Sequence, residues 1–258
     1  MTGFLVTLAS SDPLSHVLNS DLAWLTENLL ITKHVLYLLL AASLCVIVFP
    51  MVAGRMAGGV PSGRFAGFFE VVLIYIRDEM VEPFLGKDTR KFIPLIWTFF
   101  FFVLFCNLLG LIPGAATATG NVNVTAGLAV IALVTYHSVG IKRNGLIKYI
   151  KSSLLVGPWW LWWMMIPIEI LGQIIKPCAL AIRLFANMVG GHMMLAVILG
   201  FTGILSAESL FLGTTITVIS VVSCVLLMFL ELLVAVIQAY IFAFLTTVFL
   251  SLAIHPEH

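Results

Sequence analysis

The stretch Cys178-Ala-Leu-Ala-Ile-Arg-Leu-Phe-Ala-Asn-Met-Val-Gly-Gly-His-Met-Met-Leu-Ala-Val-Ile-Leu-Gly200 decides the fold of this chain. It is apolar over the roughly 20 residues that a helix needs to cross a bilayer, except for one arginine, Arg183. A guanidinium near the bilayer centre costs roughly 2.5–3.5 kcal/mol, and it stays charged because its pKa lies above about 12. The stretch therefore predicts a membrane helix whose cation faces a partner or a water-lined cavity, which is typical of an ion pathway.

The composition of the whole chain indicates an integral membrane protein. Of its 258 residues, 61% are hydrophobic and only 10% are charged, whereas soluble proteins carry about 25% charged residues. No charge-dense tract of the kind that binds nucleic acid is present. The four cysteines lie far apart, without metal-ligand spacing, so we expect buried thiols and neither a metal nor a cofactor.

Apolar runs predict an all-α fold with five transmembrane helices. The predicted spans cover residues 35–53, 92–113, 124–141, 167–199 and 212–254. The last two runs are much longer than the roughly 20 residues of one perpendicular crossing. A long apolar helix accommodates by tilting, so we expect two strongly tilted helices that form a hairpin around residues 201–211.

Residues 65–82 predict a sixth helix that lies in the membrane interface. Charges interrupt the segment, and its uninterrupted apolar stretch is too short to cross a bilayer. Its apolar residues fall at helical spacing on one face, a pattern typical of interfacial helices. The residues on that face are Phe65, Phe68, Phe69, Val72 and Ile76.

Basic residues predict the orientation of the chain. Six lie in the loop 55–91 and four more follow the third span, whereas the opposite loops are nearly free of them. By the positive-inside rule both basic loops face the cytoplasm or its equivalent. We therefore expect an extramembrane leader over residues 1–33 on the outer side, a single membrane domain over 34–258, and a cytoplasmic C-terminus.

Polar residues recur on one face of the fourth predicted span. Glu169, Lys176 and Arg183 are seven residues apart, and Asn187 lies one turn beyond Arg183. Positions seven apart nearly superimpose on a helix, because each residue advances by about 100°. These four side chains are thus predicted to form one polar stripe.

A second group of polar residues follows from the predicted hairpin. Glu231 and Gln238 share a face of the last helix, and the hairpin brings residues 229–238 level with Arg183. His192 lies nearer the outer side. His192 and Glu231 therefore form a candidate protonatable pair, suited to passing protons near neutral pH.

Structural roles remain open for each of these residues. The alternative role for His192 is that of a satisfied core histidine, and for Glu231 that of the partner that neutralises Arg183, although the convergence of several costly polar groups on two helices favours a functional role. Gln238 and Asn187 are typical interhelical hydrogen-bonding residues. Lys176 has the length to reach the inner interface with its ammonium group.

Three stretches resemble the a subunit of F-type ATP synthases, the stator half of the rotary proton channel. The resemblance covers nearly the whole chain after about residue 34, and the Arg-Leu-Phe-x-Asn-Met core is its most specific part. The stretches are Phe105-Cys-Asn-Leu-Leu-Gly-Leu-Ile-Pro113, Lys176-Pro-Cys-Ala-Leu-Ala-Ile-Arg-Leu-Phe-Ala-Asn-Met-Val-Gly-Gly-His192 and Glu231-Leu-Leu-Val-Ala-Val-Ile-Gln-Ala-Tyr-Ile-Phe-Ala-Phe-Leu-Thr-Thr247.

The resemblance implies a role for each polar residue. Arg183 would face the ring of c subunits and attract its carboxylates, with Asn187 and Lys176 in support. The outer half-channel would be lined by His192, Glu231, Gln238 and Asn107. The inner half-channel would involve Glu169, with His255 and Glu257 near its exit. The implied partners are the c ring, the b subunits of the peripheral stalk, the rest of the ATP synthase and membrane lipid.

Other functional classes explain fewer of these features. A secondary antiporter or carrier would use Arg183, Glu231 and His192 to bind its substrate, but such folds often show internal repeats, and the two halves of this chain show none. A non-transporting scaffold gives no reason for a permanent charge beside titratable groups. Hydrolase and P-loop motifs are absent, so nucleotide chemistry belongs to other chains. We expect a bacterial inner membrane protein, with the mitochondrial inner membrane as the alternative.

Overall fold

A computed structural model describes residues 33–56, 63–112, 118–154, 159–205 and 210–254. The expected leader lies almost entirely outside these ranges, as do His255 and Glu257, part of the loop before the third span, and the tip of the hairpin. Within the described ranges the chain is helical and contains no strand. The predicted all-α membrane fold is confirmed.

Eight α-helices account for most of the described residues. They are α1 (Lys33–Met56), α2 (Arg64–Tyr75), α3 (Glu82–Leu85), α4 (Thr89–Gly110), α5 (Val122–Asn144), α6 (Leu146–Leu154), α7 (Trp162–Leu205) and α8 (Leu210–Ile254). A π-helical segment, Ile76–Val81, joins α2 to α3. Short 3₁₀ segments cover Gly86–Asp88, Ala118–Gly120 and Trp159–Leu161.

Among the residues that the structure describes, five helical stretches are long and apolar enough to cross a membrane. They are His34–Arg55, Arg64–Gly110, Val122–Asn144, Trp162–Gly200 and Gly213–Ile254. The fourth and fifth predicted spans correspond to α7 and α8, of 44 and 45 residues. Pro167 and Pro177 lie inside α7, which continues through both of them.

The segment from α2 to α4 differs from the sequence expectation in two respects. It is helical from Arg64 to Gly110, so the interfacial helix and the second span are parts of one helical stretch. Burial against the rest of the protein also divides the predicted apolar face of α2. Phe65 and Phe68 are exposed, whereas Ala66, Phe69 and Leu73 are buried. Spacing alone places the apolar residues on a helix but does not identify the side that meets the rest of the protein.

The chain divides into two compact units, which the long helices α7 and α8 both enter. Unit 1 comprises Met1–Ala41, Leu104–Val124 and Arg183–Gln238. Unit 2 comprises Ala42–Val103, Thr125–Ile182 and Ala239–His258. The candidate residues Arg183, Asn187, His192, Glu231, Gln238 and Asn107 all belong to unit 1.

The core of unit 2 is built largely from aromatic rings. Phe101 meets the ring of Phe49 edge-on at 5.5 Å and stacks on Phe69 at 5.3 Å between centroids. The indole Nε1 of Trp97 donates to the Leu73 carbonyl oxygen at 3.2 Å, which ties α4 to α2. Edge and offset contacts of this kind add about 0.5–1.5 kcal/mol each to the burial of the rings.

Polar tethers join several helix ends of unit 2. Arg143, near the end of α5, forms an ion pair with Asp88. Asn144 Nδ2 donates to the Ala253 carbonyl oxygen at 3.0 Å, and Ser251 Oγ donates to the Phe84 carbonyl oxygen at 2.7 Å. These tethers connect the end of α5, the end of α8 and the start of the segment that leads into α4.

The corner between α5 and α6 is a tight turn that depends on two glycines. Gly145 has a φ of +79°, a left-handed conformation that glycine adopts without steric cost. Its N–H donates to the Ile141 carbonyl oxygen at 2.9 Å, which caps α5. Tyr149 of α6 folds back so closely on Gly140 that a Cβ there would stand 2.9 Å from ring carbons of the tyrosine. The Tyr149 hydroxyl and His137 Nδ1 share a hydrogen bond of 2.8 Å.

Candidate functional site

The candidate site of unit 1 lies where α7 and α8 pack against each other. Gly191 faces Glu231, and a Cβ at Gly191 would stand 2.7 Å from the carboxyl carbon of the glutamate. The missing side chain of one helix thus makes room for the carboxylate of the other. Because the helices are antiparallel in this region, the same register brings Arg183 to about the level of Gln238.

Glu231 is a buried acid at this helix contact. Its side chain is only 6% exposed, and its Oε1 makes no hydrogen bond to any residue that the structure describes. A buried carboxylate oxygen without a hydrogen bond is costly, and water or a proton normally satisfies it. The Oε1 of Glu231 is therefore open to water or a proton and bonds no neighbouring helix among the described residues.

His192 lies close enough to Glu231 for the two side chains to interact electrostatically. The histidine is half-buried on α7, one residue after the glycine that accommodates the carboxylate. The acid and the imidazole of the candidate pair are thus neighbours. Two groups that each bind and release a proton in a partly buried site can pass protons between them.

A cavity of about 200 Å³ opens beside the carboxylate, between α7 and α8. Its volume has room for several water molecules. Most of its wall is apolar, and Asn187 and Glu231 supply the polar groups. The Nδ2 of Asn187 is buried and has no hydrogen-bond partner among the described residues. The cavity thus offers one acceptor and one donor to water that enters it.

Gln238 and Asn107 are also buried in unit 1, but their environments differ. Gln238 is 3% exposed, and its Nε2 has no partner within the described ranges. Asn107 is fully buried and uses both ends of its amide. Its Nδ2 donates to the Ala235 carbonyl oxygen at 3.3 Å, and its Oδ1 accepts from the Thr119 hydroxyl at 3.1 Å. The bond to Ala235 fixes α8 at a point one turn after Glu231. Thr119 was not predicted, because nothing in the sequence pattern singles it out.

Arg183 is exposed on α7 and makes no ion pair with any described residue. Glu231 in particular does not neutralise it, although the sequence left that role open. A charge on a helix that can cross a membrane calls for a partner or a water-lined cavity, and no described residue supplies an anionic partner to Arg183.

The remaining predicted residues lie in unit 2 or outside the described ranges. Glu169 is half-buried on α7, and Lys176 is exposed with its Nζ 5.5 Å from the centre of the Phe249 ring, a cation–π contact. His255 and Glu257 lie beyond the last described residue. The inner half-channel remains a prediction from the sequence.

These features define an all-α membrane protein with a buried acid and a histidine between its two longest helices. The family model described as ATP synthase A chain matches residues 35–251. The chain belongs to the ATP synthase A chain family.

Curated relatives agree with this family. ATP synthase subunit a 2 of Chlorobaculum tepidum is 40% identical over 227 residues, which cover 86% of this chain and 63% of the relative. ATP synthase subunit a of Myxococcus xanthus is 37% identical over 233 residues, covering 90% of this chain and 75% of the relative. ATP synthase subunit a of Chloroherpeton thalassium is 35% identical, covering 88% and 68%. The chain thus spans less than two thirds of the length of the first of these relatives. Together with the apolar helices, these bacterial relatives indicate a bacterial membrane protein.

Proposed function

We propose that this chain is the proton-conducting stator subunit of a rotary F-type ATP synthase. One observation carries the proposal: Glu231 is buried beside His192 and a cavity, while Arg183 of the same unit is exposed without an ion pair among the described residues. A proton-carrying group and an unpartnered cation are the two parts that such a subunit needs. Family membership supports this assignment.

In the proposed mechanism, protons enter through an outer half-channel and do not cross the membrane directly. Water in the cavity delivers a proton to the Glu231 and His192 pair, and water bound by Gln238 carries it on towards the level of Arg183. There it moves to a carboxylate of the c ring. Arg183 stabilises the ionised form of that carboxylate and prevents a proton from continuing past the arginine.

Separation of two half-channels converts the proton gradient into rotation. A proton that crosses the full membrane potential releases about 2.3 kcal/mol per 100 mV. A continuous path would dissipate this energy as a leak, whereas two offset paths require the proton to travel with the ring. We assign the inner path to Glu169, His255 and Glu257, with Lys176 and Asn187 supporting Arg183, and the outer mouth to the region that Asn107 holds in place.

The partners and location follow from the same proposal. The exposed face of α7 around Arg183 meets a ring of c subunits, and b subunits connect the chain to the peripheral stalk. The chain lies in the bacterial inner membrane with its N-terminus outside and its C-terminus in the cytoplasm, as the basic loops predict.

ATP-driven proton pumping in inverted membrane vesicles tests the proposal directly. We expect Arg183→Ala to abolish pumping while ATP hydrolysis persists, and Arg183→Lys to restore pumping only in part, because the two cations differ in shape and hydration. Arg90→Ala, which removes another exposed arginine, is the matched control and should pump normally. Pumping at the wild-type rate by an assembled Arg183→Ala complex would refute the stator role and favour a carrier.

A further inference from the structure

The short helix α6 presents an exposed surface of apolar and basic side chains. Leu146, Ile147 and Ile150 are exposed, with Ile147 at 83%. Lys148 and Lys151 are exposed as well. Tyr149, by contrast, is only 8% exposed and holds the helix against α5. The helix is therefore fixed on one side and open on the others.

The exposed residues of α6 are sorted around its axis. At about 100° per residue, Leu146, Ile150 and Ile147 occupy one arc of about 100°. Lys151 and Lys148 follow over the next 100° or so, and Tyr149 lies on the remaining side. An apolar arc flanked by lysines is the pattern of a helix that lies in the plane of a membrane interface.

The surroundings of α6 carry an excess of positive charge. Sequence positions 89–168 contain no aspartate or glutamate. Of the four cations at positions 142–151, Arg143 is paired with Asp88, and the three lysines make no ion pair within the described ranges. Positions 89–168 therefore offer no carboxylate that would compete with an anionic partner, and Asp88 is already paired with Arg143.

The position of α6 places it at the end of a membrane span. Gly145 alone separates it from α5, which ends at Asn144. The next described residues include Trp160 and Trp163, which are 60% and 79% exposed. Exposed tryptophans near the end of a span are typical of the headgroup boundary.

We infer that α6 binds anionic phospholipid. Leu146, Ile147 and Ile150 enter the boundary between headgroups and acyl chains, while Lys148 and Lys151 contact lipid phosphates. Each lysine near an anionic surface favours binding by about fivefold at low ionic strength, and salt weakens the effect. This surface lies outside the candidate proton path and is independent of the proposed function.

The depth of α6 can be measured with spin labels. The full chain, with its native cysteines replaced by alanine, is labelled at Ile147→Cys or Lys148→Cys and reconstituted in vesicles of phosphatidylcholine and phosphatidylglycerol. We expect the label at 147 to be relaxed more by oxygen and the label at 148 more by a water-soluble nickel chelate. Greater accessibility to nickel at both sites would overturn the proposal. So would shielding of position 147 from both reagents, which would mean that a protein covers the helix.

Lipid selectivity provides the second measurement. Phosphatidylglycerol is titrated into the detergent-solubilised full chain, and bound lipid is counted by native mass spectrometry. Lys148→Gln with Lys151→Gln should raise the apparent Kd for phosphatidylglycerol more than tenfold and leave phosphatidylcholine binding unchanged. Lys87→Gln with Arg90→Gln removes the same charge from another exposed site and serves as control. An unchanged Kd in the α6 variant, or an equal rise in the control, would overturn the assignment.

Discussion

Apart from the paired Asn107 of unit 1, the polar groups of the two units are used in opposite ways. In unit 2 they are paired: Arg143 with Asp88, Asn144 with Ala253, Ser251 with Phe84, and His137 with Tyr149. In unit 1, three side chains, Asn187, Glu231 and Gln238, each have a buried atom without a hydrogen bond to any described residue. The one such side chain described in unit 2 is Thr89, close to the start of α4.

This difference separates polar groups that stabilise the fold from polar groups that are free to take part in proton transport. A satisfied hydrogen bond contributes about 1 kcal/mol to stability and leaves no capacity for another partner. A buried polar atom without a partner costs stability, and it retains that capacity. Substitutions in unit 2 should therefore lower stability, and substitutions in unit 1 should lower proton transport.

Among the substitutions that test this comparison, the largest effect is expected for Glu231→Gln. The amide is nearly the same size as the carboxyl group but cannot carry a proton, so pumping should fall about a hundredfold while thermal stability in detergent is kept or increased. Proton pumping by assembled complexes and thermal unfolding of the same preparations check this. A variant that pumps normally would show that Glu231 has a structural role, as the groups of unit 2 do.

Gly140→Ala should lower stability by about 2 kcal/mol. The new methyl group would overlap the Tyr149 ring, which is buried and cannot move aside without breaking its contacts with α5. Gly127→Ala on the same helix is the control, because a Cβ there meets nothing within 4 Å. The free energy of unfolding should separate the two variants, whereas pumping per assembled complex should be the same in both.

Gly191→Ala should lower proton pumping and leave stability nearly unchanged, which is the reverse of the effect expected for Gly140→Ala. Here the new methyl group meets the end of a flexible side chain, so Glu231 can move at little cost in stability. Displacement of the carboxylate from His192 and the cavity should lower pumping about tenfold, since a misplacement of about 1 Å is costly in proton transfer. Gly190→Ala changes the same cavity wall without such a contact and should pump normally. Equal losses in both variants would contradict the proposed position of the carboxylate.

The smallest effect is expected for Tyr149→Phe. It removes the hydroxyl that bonds His137 and keeps the ring that packs on Gly140. Stability should fall by about 1 kcal/mol, the value of a typical hydrogen bond. Thermal unfolding measures this loss. Reduced pumping at unchanged stability would show that His137 and Tyr149 take part in proton transport. The distinction between the two units would then fail.

Much of the fold could be predicted from the sequence because membrane helices are long and apolar. Runs of the required length identify α1, α4, α5, α7 and α8 without knowledge of their neighbours. Helix α6 was missed, since nine residues within a basic loop resemble a loop. The continuity of Arg64–Gly110 was missed as well, because charges at 77–79 look like the end of a helix when only hydropathy is considered.

Less of the site could be predicted. Helical spacing and the hairpin brought His192 and Glu231 near each other. The environment of Glu231 depends on Gly191, and the role of Asn107 depends on Thr119 and Ala235. The environment of Glu231 and the contacts of Asn107 both depend on the register between separate helices. The spacing of residues along a single helix does not predict that register. The roles of all the predicted site residues stay predictions.

The tethers of unit 2 also bear on how the chain is made. Ser251 bonds Phe84, 167 residues earlier, and Ala253 accepts from Asn144, 109 residues earlier. At a synthesis rate of about 5–20 residues per second, Phe84 waits roughly 10–30 s for its partner. Unit 2 is therefore completed only after the end of α8 has left the ribosome, and a chain truncated before Ser251 would leave both tethers open to cellular proteases.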